Sequence, residues 1–143
     1  EKTAEVIDAA RWMHTGDIAE MDDEGFVKIK GRIKDVVIRG GENLFPKEIE
    51  DFLYTHPAVC DVQVIGVPDH KYGEELCACI ILHENDPCTE ETIRQYCAEH
   101  ISHNKVPRYV RFFSEFPMTA SGKAQKFKLR EFMREELNLK EIA

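Results

Sequence analysis

Two runs of strand-forming residues joined by a turn constrain the fold of this 143-residue chain more than any other feature. Residues Val59 to Val67 alternate as half-buried strands do, and Leu76 to Leu82 form a second run of strand length. The segment 68–73 between them contains proline, aspartate and glycine, which are residue types that favour turns. The chain is therefore expected to contain a β-sheet.

Further periodic segments predict the elements around these two strands. Short strands are expected at Val36 to Arg39 and at Tyr109 to Phe113, because β-branched and aromatic residues are common in both. Helices are expected from Pro46 to about residue 55, from Thr89 as a capping residue to about Ser102, and from Phe127 to Leu137. Their apolar faces are expected to carry Ile49, Phe52 and Leu53 in the first helix, Ile93, Tyr96, Cys97 and His100 or Ile101 in the second, and Leu129, Phe132, Met133 and Leu137 in the third. Together these segments predict an α+β fold, in which a small sheet is covered by about three helices.

A separate β-hairpin is predicted ahead of this unit, within residues 12–32. Its strand-like pieces flank the turn Asp22-Asp23-Glu24-Gly25, in which Gly25 can adopt a positive φ. The longest apolar runs of the chain, such as Val36-Val37-Ile38, are too short to cross a bilayer, so no transmembrane segment is expected.

The charges are unevenly distributed along the chain. The formal net charge is −8, which argues against nucleic acid as a main partner. Residues 105–130 nevertheless contain seven Lys or Arg and a single Glu, a net charge of +6. This basic segment is a candidate site for a compact anion such as a phosphate. The alternative is a solvated helix face that balances acidic neighbours.

The five cysteines do not predict a disulfide framework, because their number is odd and their spacing irregular. A reducing, intracellular setting is expected instead. Cys77 and Cys79 would point to one face of a strand, either as buried thiols or as a metal or redox pair. Cys97, His100 and His103 share a predicted helix and are a rival zinc site. Their directions spread over roughly 120° of the helix, so they would converge poorly on one ion.

Two segments near the hairpin contain residues suited to binding or to a change of conformation. In Trp12-Met-His-Thr-Gly-Asp17 a carboxylate follows a glycine at a strand start. It can accept two hydrogen bonds from a ribose diol, or it can satisfy its own turn. The stretch Gly31-Arg-Ile-Lys-Asp35 would by itself be an ordinary polar loop between two strands.

Two longer segments are more specific. The string Arg39-Gly-Gly-Glu-Asn-Leu-Phe-Pro-Lys-Glu-Ile-Glu50 contains two glycines, which let a thin ligand arm approach closely or form a bulge and tight turn. The string Pro117-Met-Thr-Ala-Ser-Gly-Lys123-Ala-Gln-Lys126 carries a lysine after a glycine. Its ammonium is a flexible point charge that can pair with a carboxylate and a phosphate, although a surface turn is the alternative. The upstream glycine of a phosphate-binding P-loop is absent.

The four segments, in this order, resemble the C-terminal portion of the ATP-dependent adenylate-forming superfamily. That superfamily includes acyl-CoA synthetases, luciferases and peptide-synthetase adenylation domains, and the chain is most similar to medium-chain fatty acyl-CoA ligases. The resemblance extends from about Trp12 to Leu137. It implies that residues 1–33 are the tail end of a large N-terminal adenylation domain, and that residues 34–143 are a hinge and a C-terminal lid domain. The chain is therefore expected to be a fragment of a longer protein.

The resemblance also implies roles for particular residues. Lys123 corresponds to the catalytic lysine of the adenylation step, and Lys34 occupies the hinge position. Asp17 and Arg32 correspond to residues that bind the nucleotide. The residues expected to contact CoA are Gly40, Gly41, Glu42, Lys105 and Arg108. No residue of the chain is expected to bind a metal.

The implied function is an AMP-forming acyl-CoA ligase that adenylates a carboxylic acid, of which a fatty acid is the expected example, and then forms a thioester with CoA. The implied cofactors are ATP, CoA and Mg²⁺, the last held mainly by ATP and by the absent N-terminal domain. The fragment alone is expected to be inactive and to partner its own N-terminal domain. An intracellular, cytoplasmic location is expected, with organellar targeting left open. Two alternatives remain: delivery of the acyl group to a carrier protein, and a non-catalytic binding module.

Overall fold

The computed structural model describes residues 1–139 and confirms the α+β prediction. Residues 140–143 of the predicted lid domain lie outside the described residues. A helix α1 (Lys2–Val6) precedes a hairpin of β1 (Asp17–Met21) and β2 (Val27–Arg32). The larger unit then contains, in chain order, β3 (Val37–Arg39), β4 (Glu42–Leu44), α2 (Pro46–Leu53), β5 (Val59–Asp69), β6 (Gly73–Leu82), α3 (Glu90–His100), β7 (Tyr109–Phe112) and α4 (Lys126–Glu136).

The larger sheet is built around the antiparallel pair of β5 and β6, which runs from Val59 opposite Leu82 to Asp69 opposite Gly73. β7 lies parallel to β6, and the β3–β4 hairpin joins the start of β6, where Arg39 faces Gly73. The turn between β5 and β6 is shorter than predicted. The Asp69 carboxylate accepts hydrogen bonds from the backbone N–H groups of residues 71 and 72, which tightens it.

Helices cover both faces of this sheet and divide the core into two clusters. On one face, Ile49 and Leu53 of α2 and Ile93 and Cys97 of α3 pack against the sheet. The opposite face carries α4, whose buried residues include Leu129. Full burial of a side chain such as Leu53 contributes about 1.5–3 kcal/mol. The predicted covering by about three helices is thus confirmed, and the periodicity of each helix identified its buried face.

Some predicted details differ from the structure. The sequence patterns predicted neither α1 nor β4, because each contains only three to five residues and lacks a clear period. Phe132 was expected on the apolar side of α4, but it is 50% exposed and touches Phe113 edge-on at 5.5 Å. No helix among residues 1–139 is both long and apolar enough to span a membrane.

Cys77 and Cys79 point to the same face of β6, as predicted from their spacing, and both thiols are free and buried. A hydrogen bond with Cys79, together with burial, raises the pKa of the Cys77 thiol well above its ordinary value. Since the thiolate is the reactive form, the buried Cys77 thiol is a poor nucleophile in the folded protein at neutral pH.

Candidate active site

Asp17 and Arg32 meet at the open end of the β1–β2 hairpin. They face each other in the strand register, and Arg32 Nε lies 3.2 Å from Asp17 Oδ1. The carbonyl of Gly16, whose φ is 78°, accepts a hydrogen bond from the N–H of Ile33 at 2.8 Å. Both charged side chains line a cleft of about 360 Å³ between the hairpin and α2. A partly exposed ion pair contributes about 0–1 kcal/mol, so a polar ligand can replace it at little cost.

Lys34 lies between the two sheets. It is exposed, and it belongs to a single 3-10 turn, Ile33–Asp35, which connects β2 of the hairpin to β3 of the larger sheet. Asp35 of this turn forms an ion pair with Arg130 of α4 at 3.7 Å. The turn is therefore the covalent link through which any reorientation of the hairpin against the larger unit would have to pass.

Lys123 lies near the tip of a closed loop, residues 117–125. The N–H of Gln125 donates to the Pro117 carbonyl at 2.8 Å, and the N–H of Thr119 donates to the Lys123 carbonyl at 2.8 Å. Gly122 has a φ of 83°, and open space surrounds the position that a Cβ would occupy. The Lys123 side chain is exposed and has no ion-pair partner within residues 1–139. An unpaired ammonium on an open tip is available to a ligand.

The structure brings Lys123 together with two other residues that the sequence had singled out. Arg32, Lys34 and Lys123 all line one cleft of about 510 Å³. The same cleft is lined by Asp35 and by two further cations that already have carboxylate partners, Lys126 with Glu50 at 2.6 Å and Arg130 with Asp35 at 3.7 Å. This excess of positive charge suits an anionic ligand such as a phosphate chain. The basic segment of the sequence thus contributes to a concave site together with the turn between the sheets.

Gly40 and Gly41 form the two-residue turn between β3 and β4. Their φ angles are 58° and 85°, which is the pattern of a type I′ hairpin turn. The turn is held against the β5–β6 turn, because the N–H of Gly40 donates to the Tyr72 carbonyl at 2.8 Å. A Cβ on Gly41 would meet nothing within 4 Å, whereas one on Gly40 would lie 3.2 Å from the Tyr72 ring. One side of the turn is therefore open to a ligand.

A buried carboxylate fixes the strand that leads into this turn. Glu75 is a buried charged residue of β6, and its Oε2 lies 2.9 Å from Nε of Arg39. The Arg39 guanidinium also stacks over the Tyr72 ring at 4.1 Å from its centre. The hydrogen bond with Glu75 raises the pKa of Arg39. Arg108 approaches the second oxygen of Glu75 at 3.9 Å.

The remaining predicted CoA contacts lie near the β3–β4 hairpin, but they already have partners. Glu42 accepts a hydrogen bond from the side-chain amide of Asn104 at 2.6 Å. Lys105 pairs with Glu48 at 2.7 Å, and Arg108 pairs with Asp69 at 3.1 Å. The structure thus brings segment 104–108 to the hairpin. Both cations would have to exchange a carboxylate for a phosphate in order to bind a nucleotide.

Cys97 and His100, two of the three residues of the alternative zinc site, make other contacts. Cys97 is buried in the core beneath α3, and burial raises its pKa to about 11. The ring nitrogen Nδ1 of His100 lies 2.8 Å from the Tyr96 carbonyl oxygen, to which it donates. Among residues 1–139, no group of three or more His, Cys, Asp or Glu side chains is arranged to hold a metal ion.

Two largely shielded ion pairs near the site were missed by the sequence reasoning: Glu75 with Arg39, and Glu50 with Lys126. A signal for the first was present. Glu75 lies two residues before Cys77 and four before Cys79. Because alternate residues of a strand point to the same face, its carboxylate is expected on the face that carries these two cysteines. Since a buried carboxylate requires a cation, a long-range partner could have been expected, although not which one.

Comparison with known proteins agrees with the fold and identifies the family. Residues 48–123 match the family described as AMP-binding enzyme C-terminal domain. The chain therefore belongs to the family of AMP-binding enzyme C-terminal domains. The resemblance inferred from the four sequence segments is confirmed at this level.

Several relatives carry more specific names. The chain is 56% identical over 139 residues to a mitochondrial medium-chain acyl-CoA ligase, ACSF2, of Bos taurus. The matched region covers 97% of this chain and 23% of that protein. Among solved structures, ATP-bound MatB from Rhodopseudomonas palustris is 34% identical with a TM-score of 0.86, over 95% of this chain and 27% of that one. A fatty acyl-CoA synthetase of Mycobacterium tuberculosis is 40% identical with a TM-score of 0.74, over the same shares. The chain thus spans about a quarter of the length of these relatives.

Proposed function

We propose that this chain contains the tail end of the adenylation domain, the hinge and the lid of an AMP-forming acyl-CoA ligase, with the domain boundary between residues 33 and 34. The observation that carries the proposal is the shared cleft of Arg32, Lys34 and Lys123 at the junction of the two sheets. In this assignment residues 1–33 complete the large adenylation domain and residues 34–143 move as the lid. The names of the relatives, several of them acyl-CoA ligases, support the same class of reaction.

In the first proposed step, a carboxylate oxygen of the acid attacks the α-phosphorus of ATP, and the bond to pyrophosphate breaks. Lys123 lies on an open loop tip and has no carboxylate partner among residues 1–139, so its ammonium is free to approach the phosphate oxygens as negative charge develops on them. Asp17 would accept hydrogen bonds from the ribose hydroxyls, and Arg32 would contact the nucleotide. Their exposed mutual ion pair opens at little cost.

In the second proposed step, the thiol of CoA attacks the carbonyl carbon of the acyl-adenylate, and AMP leaves. The lid would first rotate about Lys34, exchanging the Lys123 loop for the Gly40–Gly41 turn. The three residues of β3, about 10 Å of strand, separate the hinge turn from these glycines. The open side of Gly41 leaves room for a thin pantetheine arm. Glu42, Lys105 and Arg108 would lie beside that arm, with the two cations nearest the CoA phosphates.

The finer points of the proposal concern substrate, metal and location. A fatty acid is the proposed acid, supported by the medium-chain and fatty acyl names of two relatives. Mg²⁺ would be held mainly by the phosphates of ATP and by residues of the N-terminal domain outside this chain. An intracellular location is proposed. Because the bovine relative is named as mitochondrial, imaging of the full-length protein should test whether it is imported into mitochondria.

The decisive experiment measures the two half-reactions of the full-length protein separately. We expect Lys123→Ala to lower the rate of adenylation at least about 10²-fold, the scale for losing one electrostatic contact with the transition state. Thioester formation from preformed acyl-adenylate should change much less. Lys128→Ala is a matched control, because Lys128 is an exposed lysine of the adjoining helix. Equal loss in both half-reactions for Lys123→Ala would overturn the assignment.

A second measurement tests the fragment itself. The isolated chain is proposed to be inactive, because most contacts to ATP and to the acid would lie in the missing N-terminal domain. ATP–pyrophosphate exchange with a range of fatty acids should therefore give no signal with the chain alone and a clear signal with the full-length protein. Exchange catalysed by the chain alone would contradict the proposed division of the site.

A further inference from the structure

The outer edge of β5 is closed by two side chains in place of another strand. Within residues 1–139, β5 pairs with β6 alone, and the N–H and C=O of Val64 point away from that partner. Oε1 of Glu50 accepts the Val64 N–H at 2.9 Å, and Nζ of Lys126 donates to the Val64 carbonyl at 3.1 Å. Nζ of Lys126 also lies 2.6 Å from the same Glu50 oxygen. We call this closed set of three contacts the edge clip.

The edge clip is well shielded from solvent. The side chains of Lys126 and Glu50 are only 16% and 15% exposed. Such a pair is stable only if hydrogen bonds satisfy the remaining polar atoms, and here the Val64 backbone supplies one donor and one acceptor. Removing either side chain would leave its partner and a backbone group unpaired. The clip therefore resists rearrangement far more than the exposed ion pairs of the surface do.

The position of the clip in the chain links it to the loop of Lys123. Lys126 is the first residue of α4 and follows Lys123 by three positions. The N-terminal side of the loop is tied to its C-terminal side by the Gln125–Pro117 hydrogen bond and by the bridge between Met118 and Ala124. The C-terminal side is then tied to the sheet edge and to α2 by Lys126. The other two contacts lie within the loop itself. The edge clip, by contrast, joins the base of the loop to β5 and α2 through the Lys126 side chain.

We propose that Glu50 and Lys126 are positioning residues for Lys123. The clip fixes the base of loop 117–125 on the sheet, so that the flexible lysine near the loop tip starts from one defined place. The inference rests on the proposed function, because it assumes that Lys123 acts in adenylation. Neither residue of the clip needs to touch a substrate for this role.

The test compares Lys126→Met with Lys126→Arg in the full-length protein. Methionine keeps much of the buried length of the side chain but removes the donor, whereas arginine retains a cation that can reach Glu50. We expect Lys126→Met to slow adenylation about 10- to 100-fold, since a displacement of about 1 Å can cost about 10²-fold in rate. Thioester formation from preformed adenylate should change little, and Lys126→Arg should recover part of the lost rate. Lys128→Met is the control for an exposed lysine of the same helix.

A structural readout accompanies the rates and separates positioning from general damage. Hydrogen–deuterium exchange of residues 117–125 should accelerate in Lys126→Met and in Glu50→Ala, while α3, which packs elsewhere, keeps its protection. Unchanged adenylation in Lys126→Met, or an equal loss in both half-reactions, would overturn the inference even if Lys123→Ala behaves as proposed. If Lys123→Ala leaves adenylation intact, the proposed function fails instead, and the catalytic use of the clip fails with it.

Discussion

Nε of Arg39 donates a hydrogen bond to Oε2 of Glu75 over 2.9 Å, and Glu75 is only 2% exposed. The contact joins β3 to β6 beside the Gly40–Gly41 turn, and the second oxygen of Glu75 faces Arg108. A buried carboxylate is stable only if a cation compensates its charge, and the loss of Glu75 would leave the Arg39 guanidinium without its carboxylate partner. The β3–β4 hairpin therefore depends on Glu75 for its place on the sheet.

We expect Glu75→Ala to lower the free energy of unfolding of the chain by about 3–5 kcal/mol, the cost of breaking a buried ion pair. Glu75→Gln should cost less, because the amide oxygen still accepts a hydrogen bond from Arg39. Urea denaturation measures both changes. The matched control is Glu84→Ala, at an exposed glutamate, which should stay within about 0.5 kcal/mol of the parent. Equal effects at residues 75 and 84 would contradict the structural role of the pair.

Much of the fold could be predicted from the sequence, because the signals that define its elements are local. The positions predicted for the inner face of α3 were Ile93, Tyr96, Cys97 and His100 or Ile101; Ile93 and Cys97 are buried, whereas His100 is exposed. Thr89 was predicted to cap that helix, and its hydroxyl accepts the Thr92 N–H at 3.2 Å. Helix periodicity and capping depend only on neighbours along the chain, so a single sequence is enough to recognise them.

The spatial composition of the candidate site could not be predicted in the same way. Lys123 and Arg32 are far apart in the sequence, and only the packing of α4 beside the hinge turn brings them to one cleft. The partners of Glu75 and Lys126 are likewise distant in the chain. Their pairing follows from strand order and helix placement, which no local pattern encodes. The resemblance to a family supplied predicted roles for individual residues, but it did not predict that Lys105 and Arg108 already pair with Glu48 and Asp69.

The two glycines of the β3–β4 turn should differ in their tolerance of a side chain. Alanine at either position meets the strain of a positive φ, about 1–2 kcal/mol. Gly40→Ala also places a Cβ 3.2 Å from the Tyr72 ring, whereas Gly41→Ala meets open space. We therefore expect Gly40→Ala to be the more destabilising by about 1 kcal/mol in urea denaturation, as is typical of mild overpacking. The excess should disappear in a Tyr72→Ala background. If Gly41→Ala were the worse variant, the orientation of the turn against Tyr72 would be wrong.

Tyrosine ionisation gives a test at high pH. Partial burial, together with a hydrogen bond to the Asp61 carboxylate, raises the pKa of the half-exposed Tyr54 from its ordinary value of 10 to about 12. Ionised Tyr54 is thus disfavoured in the folded state, so its contribution to stability is complete below pH 10 and is lost as the pH rises toward 12. Ultraviolet titration should show a late tyrosine component that Tyr54→Phe removes.

The same titration also tests a tyrosine, Tyr72, whose pKa is lowered rather than raised. A hydrogen bond with the Lys71 ammonium lowers the pKa of Tyr72, so Tyr72→Phe should remove the earliest component and leave the late one intact. Loss of the late component in Tyr72→Phe, or its persistence in Tyr54→Phe, would show that the two rings are assigned to the wrong environments.

A proline at the hinge should separate the two proposed steps of the reaction. Lys34→Pro restricts φ in the turn Ile33–Asp35 that connects the two sheets, whereas Lys34→Ala removes the charge and leaves the backbone free. If the lid must reorient through this turn, the proline variant should form acyl-adenylate nearly as fast as the parent. Its thioester formation should fall roughly tenfold or more, because the changes of φ and ψ at a hinge are concentrated in a few residues. Pyrophosphate release and CoA-dependent AMP release of the full-length protein, measured side by side, report the two steps. Thioester formation that is unchanged in Lys34→Pro, or lost to the same degree in Lys34→Ala, would argue against a backbone hinge at this position.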